Sequence, residues 1–122
     1  MMKKTIILGM FVLATSSVSI SKENSVDCAN QVGSYESSYC AELAYEKADS
    51  TLNSTYKEIK VNLSKEEGAI LIQAQRGWLK YRDNHCELEN YENRGTTGWA
   101  TNFTTCKTRL TDERVESLKI LE

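Results

Sequence analysis

With 122 residues, 17 acidic against 15 basic groups and a formal charge of −2, the chain has room for one domain and no clustered positive charge to hold nucleic acid. Its four cysteines, one histidine and absence of proline point away from a loop-rich all-β domain and toward a helical one.

Residues 1–20 read as a secretory signal peptide. Lys3 and Lys4 make a positive start, and an apolar run of about ten residues follows, too short and too poorly flanked to span a membrane. Cleavage is expected near Ser19 or Ser21. No cysteine closes the run, so a lipid anchor is not expected there, and the first cysteine is Cys28. The product is expected to be exported, periplasmic or secreted, with no membrane insertion after cleavage. Losing Lys3 and Lys4 takes 15 basic groups to 13 against 17 acidic, a net charge of −4.

Residues 21–36 are rich in Ser and Asn and read as an irregular N-terminal arm tied down by Cys28. A helical domain is expected over residues 37–122. Its first helix should begin near Ser37 or Ser38, either of which can cap. Ala41, Ala44, Ala48, Leu52, Tyr56, Ile59 and Leu63 then recur at helical spacing, with Asp49 and Asn53 beside that stripe. Ser64 with Glu67 three residues later predicts a capping box and the start of a second helix reaching about Tyr91. Leu71, Gln75, Trp78, Arg82 and Cys86 share one face of it. This helix is expected to be the central one, with Trp78 the most buried large side chain, packed near Leu52 and Leu110. Gln75 and Arg82 need partners, since a buried amide or guanidinium left alone costs several kcal/mol. Asn93 to Gly98 reads as a turn-rich loop. Trp99, Phe103, Cys106, Leu110, Arg114, Leu118 and Leu121 mark a third helix.

Short loops between long helices force antiparallel neighbours. The expected fold is all-α, an antiparallel three-helix bundle stapled by two disulfides. Counting residues outward from each turn puts Asp49, Asn53, Gln75 and Arg114 in one layer. With Arg82 they read as a structural polar layer that fixes register. The rival reading, a carboxylate active site, lacks a second acid at a suitable level. The same counting levels Cys86 with Cys106 and favours Cys86–Cys106 together with Cys28–Cys40. Cys40 and Cys86 are level too, so a Cys40–Cys86 bridge stays open. No Cys-x-x-Cys spacing occurs, which argues against a metal site. His85 and Cys86 are adjacent and point about 100° apart on a helix, which argues against a nucleophile–base pair. No catalytic residue, metal or cofactor is predicted, and the chain does not read as an enzyme.

Three blocks carry a resemblance. The first is Cys40-Ala41, Ala48-Asp49, Leu52-Asn53 and Tyr56. The second is Ala74-Gln75-Arg76, Trp78-Leu79, Tyr81-Arg82-Asp83 and Cys86. The third is Cys106, Thr111, Arg114 and Leu118. Across Asp27 to Leu118 the chain resembles the lysozyme inhibitor LprI family of small exported bacterial proteins. The resemblance implies a disulfide-stapled helical domain that binds and inhibits lysozyme. A mildly acidic protein fits a basic enzyme, because opposite fields raise association rates. A muramidase cleft is lined by two carboxylates, and a blocker has to occupy or cover it. The loop carrying Tyr91, Arg94 and Trp99 is the candidate partner-binding surface, since aromatic and Arg side chains dominate interface hot spots. The alternative is an envelope structural or interaction module with a different protein partner.

Overall fold

The helical patterns become α1 (Ser34–Asn62), α2 (Lys65–Glu89) and α3 (Trp99–Lys119), with a 3-10 turn (Tyr91–Asn93) between the last two. The computed structural model describes residues 25–121, so the predicted signal peptide at residues 1–20 lies outside the described residues. Among the described residues there is no strand, and the fold is an all-α bundle with two disulfides.

α1 starts at Ser34 rather than at Ser37 or Ser38. Both serines sit inside the helix with their hydroxyls engaged there. Ser37 donates to the Gly33 carbonyl at 2.8 Å, and Ser38 shares a 2.8 Å hydrogen bond with Thr101 of α3. α2 opens on the predicted capping box. The Glu67 N–H donates to the Ser64 hydroxyl at 3.2 Å, and the Ser64 N–H donates to the Glu67 carboxylate at 2.8 Å. α2 stops at Glu89, where the Asn90 amide donates back to the Cys86 carbonyl at 2.9 Å. Gly95, at φ +79°, adopts the left-handed conformation that glycine tolerates without strain and turns the chain toward α3.

α2 runs antiparallel to both neighbours, which leaves α1 and α3 parallel. α1 and α3 pack most extensively, and α2 rests more lightly on α3. The central helix is therefore α3, where the sequence pattern points to α2. Side-chain size is the reason. Ala41, Ala44 and Ala48 of α1 border the same recesses as Thr105 and Thr108 of α3, and such short side chains let the two backbones approach closely. α2 meets the pair with Gln75, Trp78 and Arg82, whose length holds it away.

The core forms two clusters. Leu52, Ile59, Leu71, Val115 and Leu118 fill one end, with Tyr56, Leu63 and Trp78 packed against them. Cys86, Cys106 and Leu110 fill the other, against Phe103. The largest fully buried side chains are Leu52, Ile59 and Leu118. Trp78 is only half-buried, contrary to the sequence expectation, because α2 stands off from the α1–α3 pair. The bridges are Cys28–Cys40 and Cys86–Cys106, each with a Cα–Cα distance of 5.6 Å. The Cys40–Cys86 alternative is not formed. Both bridges lie at the end shared by the start of α1, the end of α2 and the start of α3.

Candidate functional site

The space between α2 and the α1–α3 pair is filled by an alternation of cations and rings. Arg114 lies over Trp78, with 5.8 Å from guanidinium to ring. Arg82 lies 5.4 Å from Trp78 on one side and 5.5 Å from Tyr45 on the other. Lys107 caps the Tyr45 ring at 4.0 Å and reaches the Phe103 ring at 5.3 Å. Phe103 stacks on Trp99 with ring centroids 5.1 Å apart. A guanidinium or ammonium over an aromatic face is attracted by the ring quadrupole, more strongly where water is excluded. This column bridges helices whose backbones stay apart.

The residues expected to form a polar layer divide within this frame. Arg114 donates to the Gln75 side-chain oxygen at 3.1 Å, joining α3 to α2. Burial pulls the Arg114 pKa below its ordinary value, without approaching the point at which arginine loses its charge. Asp49 and Asn53 instead bond each other at 3.1 Å along α1. Arg82, 6% exposed, places Nε and Nη2 on the neighbouring Asp83 at 2.9 and 2.8 Å. Its Nη1 is buried without a hydrogen-bond partner. Burial raises the Tyr45 phenol pKa, and the Arg82 charge opposes that rise. Cations and rings suit packing and register; they place no base beside a nucleophile. Among the described residues, no three His, Cys, Asp or Glu side chains gather as a metal site.

The loop between α2 and α3 brings two of its three singled-out residues together. Tyr91 is 56% exposed. Arg94 lies over its ring at 4.7 Å and pairs with Glu87. Trp99 turns inward onto Phe103 instead, with its Nε1 buried and unpartnered. A second aromatic pair escaped the sequence reading. Tyr35 and Tyr39, one turn apart on α1, stack with centroids 6.4 Å apart and remain exposed. Their four-residue spacing was visible, but Tyr35 fell in the stretch assigned to the arm. The Ser38–Thr101 bond and the Cys86–Cys106 bridge put both aromatic pairs at the same end of the bundle. Glu36, Glu42 and Glu92 also lie toward that end, and among the described residues no ion pair engages them.

Two shallow recesses run between α2 and α3 and share Arg114. One, of about 400 Å³, is walled by Leu63, Ile70, Leu71, Ala74 and Leu121. The other, of about 310 Å³, lies among Trp78, Tyr81, Leu110 and Ser117. Both have mainly apolar walls.

A family model described as "Lysozyme inhibitor LprI" matches residues 28–118. An uncharacterized protein of Rhizobium meliloti (strain 1021) is 34% identical over 108 residues, covering 78% of each chain. No solved structure matches. The matched residues include both disulfides, Gln75, Arg114 and the cation–ring column, and with a match over residues 28–118 the chain belongs to the lysozyme inhibitor LprI family.

Proposed function

We propose that this protein is an exported inhibitor of a lysozyme-type muramidase and acts by covering the enzyme's active-site cleft. The observation that carries the reading is the family match over residues 28–118, which includes all three helices and both bridges. Export is supported by the two disulfides, since such bonds persist in oxidising compartments. Among the described residues no helix is long and apolar enough to cross a membrane. As a protein blocker it makes and breaks no covalent bond; its work is binding.

The disulfide-braced end suits that task. Tyr91 and Arg94 stand side by side there, with Tyr35 and Tyr39 at the same end. Aromatic and Arg side chains supply most hot-spot energy, and a surface already held in place loses less entropy on binding. Arg94 is the group with the chemistry to meet cleft carboxylates, at the expense of its pairing with Glu87. Trp99 acts from behind, as support for the loop. Glu36, Glu42 and Glu92 add negative charge toward this end, which favours a basic enzyme.

A bacterial-lysis assay with a basic lysozyme tests the reading. Arg94→Ala should raise the inhibitor concentration needed by about tenfold, equivalent to about 1.4 kcal/mol, with the helical signal and thermal midpoint unchanged. Trp99→Ala should lower the midpoint, because it removes a stacked, half-buried ring. Raising salt to physiological strength, where the Debye length is about 8 Å, should slow association. No inhibition by the wild type at micromolar excess would defeat the inhibitor reading for that enzyme. Equal inhibition by Arg94→Ala would move the contact to another surface.

A further inference from the structure

Arg114 is a half-buried cation with no anion paired to it among the described residues. Arg82, Arg94 and Arg109 each pair with a carboxylate of the chain. Arg114 instead donates from Nε to the neutral Gln75 amide at 3.1 Å and from Nη1 to the Ser117 hydroxyl at 3.5 Å. Its Nη2 has no acceptor among the described residues. Two carboxylates line the recesses beside it, and both are engaged elsewhere. Glu67 accepts from the Ser64 N–H at 2.8 Å, and Glu113 faces Arg109 at 3.6 Å. Burial lowers the Arg114 pKa, and no neighbouring carboxylate opposes that shift.

Arg114 also joins the two recesses between α2 and α3. Trp78 and Ser117, the neighbours of its guanidinium, line the smaller one, of about 310 Å³. The larger, of about 400 Å³, lies along Leu63, Ile70, Leu71, Ala74 and Leu121. From Arg114 to Leu121 is about two helical turns, or about 10 Å. Ile70 and Leu121 are 67% and 54% exposed, so this wall is wet apolar surface that an aliphatic chain would dry.

We propose that Arg114 and this wall form a site for a single-chain aliphatic carboxylate, a medium-chain fatty acid anion, with its carboxylate on the guanidinium and its chain along Leu71, Ala74 and Leu121. A guanidinium edge takes a carboxylate through two parallel N–H donors. A peptide fits the wall less well, because its N–H and C=O groups would be buried against side chains that offer no hydrogen bond. The chain's formal charge of −2 repels anions at long range, so uptake depends on this local pairing and not on the field of the whole molecule. The recesses are shallow, and a ligand of about ten heavy atoms should bind with a Kd of about a millimolar. The site lies near the turn between α1 and α2, away from the disulfide-braced end that carries Tyr91 and Arg94.

Titrating the isotope-labelled protein at neutral pH with octanoate, held below its micelle concentration, tests the proposal through backbone amide shifts. Saturable shifts are expected at Leu71, Ala74, Ser117 and Leu121 and not at Tyr91 or Arg94. Octanol keeps the chain and acetate keeps the charge, and each should bind at least about tenfold more weakly. Arg114→Gln should remove the preference for octanoate over octanol, a readout that loss of the Gln75 bond alone would not move. Ile70→Glu puts a carboxylate on the exposed rim of the wall. It should weaken octanoate by about tenfold or more with the helical signal unchanged, which keeps the test decisive if Arg114→Gln fails to fold. Equal affinity for octanol, acetate shifts matching those of octanoate, no saturation below the micelle concentration, or shifts given by anionic phospholipid vesicles but not by dissolved octanoate would overturn the site. Lysozyme inhibition is decided separately by the lysis assay, so the failure of either reading leaves the other standing.

Discussion

Trp78 shows why residue size is a poor guide to burial here. The indole is the largest apolar group on α2's core face, yet it sits half-buried between Arg82 and Arg114. Leu52, at 1% exposure, is enclosed by the main cluster. The energetic order should follow enclosure. Leu52→Ala removes a side chain whose surroundings cannot collapse and should cost about 3 kcal/mol. Trp78→Ala gives up a partly wet ring and cation–ring contacts worth about 0.5–1 kcal/mol apiece, about 2 kcal/mol in all. Urea unfolding of the two variants checks the order, and a larger loss for Trp78→Ala would mean that the column outweighs the leucine core.

At the scale of elements, α2 depends on its first turn because it packs more lightly than α1 does. Its capping box satisfies N–H groups that no carbonyl within the helix can reach. Ser64→Ala should cost about 1 kcal/mol. Glu67 adds a pH dependence of known sign. The Ser64 N–H, donating to its carboxylate, holds its pKa below the ordinary value. A group depressed in the folded state stabilises above its unfolded pKa, about 4.3 for Glu, and loses that contribution as pH falls through the folded value. The denaturation midpoint of wild type should therefore exceed that of Glu67→Gln at neutral pH, and the two should converge on acidification below about pH 4. A gap that stays constant through that range would assign the stabilisation to the Ser64 hydroxyl alone.

For the molecule as a whole, the bridges compensate for a narrow core. Three of the buried apolar side chains are the half-cystines Cys40, Cys86 and Cys106. Chains of this size have little apolar area to spare. Closing the loop between Cys86 and Cys106, 20 residues apart, restricts the unfolded chain by about 3 kcal/mol. That is a large share of the roughly 5–15 kcal/mol that holds a domain folded. Replacing both cysteines by serine should lower the stability by that amount and loosen the end that carries Tyr91 and Arg94. Inhibition should then weaken at temperatures where the variant is still helical, which parallel circular dichroism and lysis assays would reveal.

Local pattern was enough for the helices and the capping box, because periodicity and a four-residue signature depend only on neighbours along the chain. Levelling across the turns favoured the Cys86–Cys106 bridge but left Cys40–Cys86 open, since loop length dictates which positions come abreast and not which of them bond. Three features needed the tertiary structure. Which helix is central depended on how closely alanine and threonine faces let α1 and α3 approach. Asp49 and Asn53 bonded each other rather than Gln75 and Arg114, a choice made by side-chain reach and invisible in spacing. Trp99 turned onto Phe103 while Tyr91 and Arg94 stayed outside, because a residue that begins a helix takes its direction from whatever that helix packs against.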